Sequence, residues 1–157
     1  MKRAMMVVLI MLLLMGTAGA ESYGWVMCQP DSQVNIRGGP GQRYSVVAHR
    51  YAGDRVLLDG KKRGKWVHCV LSCESGEGWI RRDFLSLDEP EDVGSGIFIT
   101  TVGRVNARYS AGGGIRKKLK EGTALTVSMV TAEWCVTSQG FIRTEFLMEV
   151  NGNVPPM

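Results

Sequence analysis

The chain has 157 residues and a formal net charge of +4. Two of its positive charges, Lys2 and Arg3, lie at the N-terminus, and without that segment the charge falls to +2. So small a charge argues against the strongly basic face that nucleic-acid-binding proteins use, and we expect no nucleic-acid partner.

The N-terminal segment, residues 1–20, has the three parts of a secretory signal peptide. A basic start is followed by the apolar run AMMVVLIMLLLM and by small residues that end in Ala18-Gly19-Ala20. The run is shorter than the roughly 20 residues that span a bilayer. We therefore expect cleavage after Ala20, no membrane segment afterwards, and a secreted or extracytoplasmic protein of the cell envelope. The remaining 137 residues suffice for one ordinary domain or two very small ones.

Short strands are predicted throughout the exported part of the chain. Apolar residues alternate with polar ones in short runs, and clusters of Gly, Pro, Asp or Lys separate these runs. No window keeps the apolar spacing of a substantial helix. The clearest alternating positions are Val34/Ile36, Val56/Leu58, Trp66/His68/Val70 and Trp79.

The second half of the chain repeats the first, block by block and in the same order. VNIRGGPG at residue 34 matches VNARYSAG at 105, and AGDRVLL at 52 matches EGTALTV at 121. GKWVHC at 64 matches AEWCVT at 132, and GWIRRDFL at 78 matches GFIRTEFL at 140. The pattern predicts two domains, 21–87 and 97–150, joined by an acidic linker, 88–96, and followed by a tail, 151–157.

These blocks resemble the bacterial SH3 (SH3b) domain family. The opening V-N-x-R strand with its glycine turn, the Trp strand and the closing G-W/F-I-R block carry the likeness, which covers nearly all of the exported chain. The second copy is more degenerate, because it lacks the Pro of the first turn and has Phe141 in place of Trp79. The resemblance implies an all-β fold of two small SH3-like β-barrels in tandem.

The same resemblance implies a binding function in the cell envelope. Family members commonly bind cell-wall peptidoglycan, so the expected partner is peptidoglycan, its stem peptide or another extended peptide. The alternative is an envelope protein–protein interaction or regulatory module with no affinity for the wall. In that case, the partner is another envelope protein.

The inventory of reactive residues does not favour an enzyme. The only histidines are His49 and His68, and alternation along a strand should direct His68 away from Cys69. The glycine-rich turns are not followed by the Lys-Ser/Thr of a phosphate loop, and no G-x-S-x-G or H-E-x-x-H motif is present. We therefore expect a non-catalytic protein without a cofactor.

The four cysteines allow two disulfides in three connectivities if the chain is exported to an oxidising compartment. We expect a bridge within the first half, from Cys28 to Cys69 or Cys73. Cys135 aligns with Val67 and is expected to be a buried thiol. Alternatively, Cys69 and Cys73 could be ligands of a zinc ion. Such a site needs two more well-placed ligands, and we expect no metal.

Candidate ligand-binding residues lie on the polar face of the opening strands and in nearby aromatic positions. If Val34 and Ile36 face the core, Asn35 and Arg37 share the opposite face. Arg37 would then contact a carboxylate of a stem peptide; alternatively, Asn35 bonds a turn and Arg37 pairs with a local acid. The full set is Asn35, Arg37, Tyr44, Tyr51, Trp79, Asn106, Arg108 and Tyr109.

Overall fold

The computed structural model describes residues 22–71 and 76–150, with the side chain of Ser95 excepted. The predicted signal peptide, the tail 151–157 and Cys73 lie outside the described residues. Within the described ranges the chain contains strands, turns and two short 3₁₀ segments, and it has no α-helix. No helix in this part of the chain is long and apolar enough to cross a membrane. The all-β prediction is confirmed.

The first half forms one seven-stranded antiparallel sheet. Its strand order is β3-β2-β6-β5-β4-β1-β7, and a 3₁₀ segment, Arg82–Phe84, lies between β6 and β7. The strands are β1 (Ser22–Val26), β2 (Gln33–Arg37), β3 (Val46–Tyr51), β4 (Arg55–Arg63), β5 (Trp66–Leu71), β6 (Gly76–Arg81) and β7 (Leu85–Ser86).

The second half repeats this plan in a second seven-stranded sheet. The strand order β10-β9-β13-β12-β11-β8-β14 is that of the first sheet with each number raised by seven, and Thr144–Phe146 is the matching 3₁₀ segment. The strands are β8 (Glu91–Thr100), β9 (Val105–Arg108), β10 (Ile115–Leu119), β11 (Ala124–Val130), β12 (Trp134–Thr137), β13 (Gly140–Arg143) and β14 (Leu147–Glu149).

Neither sheet closes into the barrel that the resemblance implied. The outer strands of the first sheet, β3 and β7, are not paired with each other. After β3 the chain turns at Gly53, whose φ of +83° suits glycine, and enters β4. Backbone bonds from this turn reach Val26 on β1, and β7 has only two residues with which to pair. The chain after β3 therefore contacts β1 through a turn and not through a strand ladder, and the sheet stays open.

The predicted linker is partly a strand. β8 begins at Glu91, so residues 91–96 pair with the far end of β11, where Val130 opposes Glu91 and Met129 opposes Asp92. Gly94 has a φ of +61°, and its amide donates to the Asp92 carboxylate. These contacts give an acidic, non-periodic segment the backbone partners that strand formation requires.

Each sheet has its own apolar core, and a third cluster joins the two. The first core is centred on Ile36, Cys69 and Ile80, and its counterpart in the second sheet is centred on Ala107 and Ile142. The joining cluster draws residues from both sheets: Met27, Ala52 and Phe84 from the first, and Ala111, Met129, Trp134, Val136 and Phe141 from the second. The two sheets therefore share a buried interface.

Candidate functional site

The interface between the sheets borders a groove of about 360 Å³, here called the inter-sheet groove. Polar residues of β2 and the ends of β5 and β6 form one side, and the second sheet supplies the other. The lining residues used below are Asn35, Arg37, Trp66, Arg81, Phe84, Tyr109 and Phe141.

Strand alternation places Asn35 and Arg37 in the groove. Val34 and Ile36 are buried in the core, so their neighbours on β2 face the other way and are half-buried. The Arg37 guanidinium donates through Nη1 to the carbonyl of Tyr44 at 2.8 Å, and it pairs with no acidic side chain among the described residues. This bond fixes the side chain and leaves its other N–H groups available to a ligand.

Arg81 is the second cation of the groove. Its Nε donates to Asp83 Oδ1 at 2.9 Å, and Nη2 pairs with the other carboxylate oxygen. The guanidinium also lies over the ring of Phe84, with 5.4 Å between its carbon and the ring centroid. A two-point ion pair and an aromatic face together hold a guanidinium in one orientation.

The second sheet contributes the aromatic residues Tyr109 and Phe141. Phe141 is only 2% exposed and packs edge-on against Phe84, with the ring centroids 6.4 Å apart. Tyr109, by contrast, is 66% exposed at the rim. The groove therefore combines fixed cations, apolar walls and an accessible aromatic ring, which suits an extended ligand that carries carboxylates.

Polar bonds across the interface keep this arrangement in register. Asp83 accepts a bond from Ser110 Oγ at 2.8 Å, and its carbonyl accepts one from the amide of Ala111 at 3.0 Å. Further along the interface, Gln29 Nε2 donates to the carbonyl of Thr137 at 2.8 Å. Asp83 consequently orients Arg81 and anchors the second sheet at the same time.

A second groove, of about 520 Å³, is lined entirely by residues of the second half of the chain. It contains the repeat-related counterparts of five of the first groove's residues, together with an additional arginine. The residues that define it here are Arg104, Asn106, Arg108, Trp134, Arg143 and Phe146.

The predicted site residues are divided among three places. Lining the inter-sheet groove are Asn35, Arg37 and Tyr109. Lining the second groove are Asn106 and Arg108. Outside both grooves lie Tyr44, Tyr51 and Trp79. The backbone carbonyl of Tyr44 accepts the hydrogen bond from Arg37. Tyr51 is 57% exposed on β3, and Trp79 packs against His68.

Sequence reasoning missed Trp66, Arg81 and Phe141 as groove residues. Each belongs to a block that the two halves share, and Trp66 looked like a core residue because it is large and apolar. It is only half-buried at the start of β5. The available signal was the arginine that follows the closing G-W/F-I block in both copies, Arg81 and Arg143.

The expected disulfide between Cys28 and Cys69 is not formed. The three cysteines that the structure describes, Cys28, Cys69 and Cys135, are buried free thiols. Cys28 is directed at the carbonyl of Ser32 and Cys69 at that of Gly78, so the two thiols engage different backbone groups. Burial raises the pKa of all three thiols, that of Cys69 to about 11. They are therefore protonated, and poor nucleophiles, at neutral pH.

A polar cluster around the buried His68 also escaped the sequence reasoning. His68 Nδ1 lies 2.9 Å from Asp59 Oδ2, and Nε2 lies 3.6 Å from Glu77 Oε2. The ring meets Trp79 edge-on, with 5.0 Å between centroids. Within residues 22–71 and 76–150, no three His, Cys, Asp or Glu side chains are grouped to hold a metal ion.

No protein-family model matches the chain, and no curated protein matches it. Among solved structures, it is similar to NlpC1 and NlpC2 from Trichomonas vaginalis, each at 14% sequence identity and a TM-score of 0.37. The match covers 88% of this chain but 50% of NlpC1 and 51% of NlpC2, so the chain spans about half the length of these proteins.

Proposed function

We propose that the chain is an exported, non-catalytic binding protein with two SH3b-type domains, which recognises the stem peptide of cell-wall peptidoglycan. The observation that carries this proposal is the inter-sheet groove, where Arg37 and Arg81 lie beside aromatic side chains. A stem peptide is extended, offers carboxylates to the guanidinium groups, and has small apolar side chains that suit the aromatic walls. Bonds to Tyr44 and Asp83 hold both arginines in place before a ligand arrives, which reduces the entropic cost of binding.

The proposal can be tested by sedimentation with purified wall sacculi. The protein lacking residues 1–20 should sediment with sacculi, and it should bind a synthetic stem pentapeptide in calorimetry. Tyr109→Ala removes the exposed aromatic ring at the rim without touching either core, and we expect peptide binding to weaken about tenfold, the loss typical of an aromatic contact worth 1–2 kcal/mol.

A matched control is Tyr51→Ala, which removes another well-exposed tyrosine, from outside the groove. It should bind like the unmodified protein. Failure to sediment with sacculi of several wall chemistries would contradict the proposal. So would equal binding by the two tyrosine variants.

One observation favours the second candidate, an envelope protein partner. The outer edge of β3 carries the exposed apolar residues Val46, Val47 and Tyr51, and such an edge can accept a strand from another protein. The corresponding edge strand β10 instead carries Arg116, Lys117 and Lys118, which discourage strand addition. This candidate predicts capture of one envelope protein by the unmodified chain, no affinity for sacculi, and loss of capture in Val47→Lys.

A further inference from the structure

Five residues of the second groove are the repeat counterparts of residues that line the inter-sheet groove, while Tyr109 and Phe141 have no counterpart there. These five residues occupy the positions that the repeat assigns to their counterparts in the first groove, on matching elements. The matched pairs are Asn35/Asn106, Arg37/Arg108, Trp66/Trp134, Arg81/Arg143 and Phe84/Phe146.

Arg108, the counterpart of Arg37, is held by the same kind of hydrogen bond as Arg37. Arg108 Nη1 donates to the carbonyl of Gly113 at 2.7 Å, as Arg37 donates to that of Tyr44 at 2.8 Å. Both bonds tie the end of the opening strand to the turn that follows it. Each bond holds its guanidinium at the end of the opening strand and leaves the other N–H groups of that guanidinium available to a ligand.

The other arginine of the second groove is less neutralised than its counterpart. Arg143 lies over the ring of Trp134 at 4.8 Å, and its Nη1 is 3.6 Å from Glu133 Oε2. Arg81, in contrast, makes a two-point ion pair with Asp83. A longer pair between two more exposed groups leaves more of the positive charge to an incoming anion.

Arg104 adds a third cation and has a strained backbone. Its φ of +65° lies in the left-handed region, which residues other than Gly adopt only under strain. Of the residues that the structure describes, it alone combines such a φ with a side chain other than Gly. Its exposed guanidinium forms no ion pair with any described residue. A strained residue with an unpaired charge at a groove is a feature often found where ligands bind.

We infer that the second groove is a second binding site for a carboxylate-bearing extended peptide. This inference rests on the proposed function, because it takes the ligand class from the inter-sheet groove. No element of the first sheet lines the second groove, so it stays open to a bulky polymer. Two sites on one chain can hold neighbouring peptides of a single polymer, and the linked sites then bind it far more tightly than either site alone.

The substitution Arg104→Gly separates loss of binding from loss of folding. Glycine accepts the φ of +65° without strain, so the variant should be at least as stable to heat as the unmodified protein. Calorimetry with a synthetic stem pentapeptide should give two sites for the unmodified protein. In Arg104→Gly, we expect one of them to weaken about tenfold, the effect of losing one charged contact worth about 1.4 kcal/mol.

The control Arg116→Gln removes the same charge from β10, outside the groove, and should keep both sites. The double variant Arg104→Gly/Tyr109→Ala should lose more of its affinity for sacculi, measured by sedimentation, than of its affinity for the pentapeptide. The reason is that only the polymer can engage both sites at once. A single site in the unmodified protein, or two unchanged sites in Arg104→Gly, would overturn the inference. If peptide binding still depended on Tyr109 in that case, the proposed function would stand. Absence of any peptide and sacculus binding would overturn both.

Discussion

At the scale of single residues, Asp59 holds the polar cluster on β4 and β5 together. Desolvation raises the pKa of its carboxyl, but hydrogen bonds from Lys61 and His68 outweigh this effect and lower the pKa to about 2. The ordinary value is 3.8, so the folded state binds a proton at Asp59 less readily than the unfolded state does. The resulting stabilisation is complete above about pH 4 and is lost as the pH falls through about 2.

We therefore predict that Asp59→Asn lowers the melting temperature at pH 6 and has little effect near pH 2. The loss at pH 6 should correspond to about 1–2 kcal/mol, because the buried His68 loses its short contact with a carboxylate and keeps only the longer one, 3.6 Å, to the exposed Glu77. Thermal denaturation at several pH values measures the difference. The control is Asp88→Asn, at an exposed position that forms no ion pair with a described residue, and it should match the unmodified protein at every pH. A constant difference for Asp59→Asn across the pH range would contradict the prediction.

The face of a strand on which a side chain lies was largely predictable from the sequence, but the partners of single side chains were not. Alternation correctly places Asn35 and Arg37 opposite Val34 and Ile36, because it depends only on the strand period. It fails at β5, where Val67, His68 and Cys69 are all buried, because that strand is covered on both faces. The ion pair between Asp59 and His68 depends on the register of two strands, which the sequence does not display.

At the scale of elements, the glycines that open the closing blocks allow two strands to approach closely. A Cβ on Gly140 would lie 2.5 Å from the carbonyl oxygen of Arg108, and the φ of Gly140 is +124°. At the equivalent Gly78, a Cβ would lie 2.4 Å from Ile36 Cγ2. The repeat alignment predicted that these two glycines correspond, and the close approach explains why glycine stands there.

Gly140→Ala should accordingly destabilise the second sheet by about 2 kcal/mol or more, because the new methyl group meets backbone at a position that is already strained. Urea denaturation gives the free energy of unfolding. Gly114→Ala is the matched control, since a Cβ there meets nothing within 4 Å. Equal stability of the two variants would show that the close approach is not maintained in solution.

The boundary of β8 shows where element prediction from sequence stops. Its first residues are acidic and lack apolar alternation, so composition favoured a linker. They form a strand because Met129 and Val130 on β11 offer backbone partners, and Gly94 permits the bend. Tertiary pairing of this kind overrides local composition.

At the scale of the whole molecule, the buried cluster between the sheets should make the chain unfold as one unit. Met27 is 2% exposed and belongs to the cluster that Phe141 and Met129 also form. We predict that Met27→Asp lowers the free energy of unfolding by about 3 kcal/mol or more, because it buries a charge without a partner. Calorimetry should then resolve two transitions where the unmodified protein gives one.

Met148→Asp is the control, because Met148 is exposed on β14. It should leave a single transition near the original temperature. Two transitions in the unmodified protein would contradict the prediction, since the interface would then not couple the sheets.

The repeat was readable from the sequence, whereas the interface was not. In the sequence, Phe141 looked like a degenerate copy of Trp79. Its packing against Phe84 in the structure explains why the second half has a phenylalanine at this position. The inter-sheet groove escaped prediction for the same cause, since it exists only where residues of the two halves meet.

The packing of Phe141 also limits how such a chain can change over generations. A chain that joined two copies of its first half would present the larger indole of Trp79 where the ring of Phe141 fits against Phe84. Two copies of the second half would keep a phenylalanine, Phe146, at the position of Phe84 but would lose Met27 from the cluster that packs on Phe141. The two halves are thus complementary and can no longer replace each other. Recombination between them would yield chains in which the apolar cluster between the sheets is poorly packed.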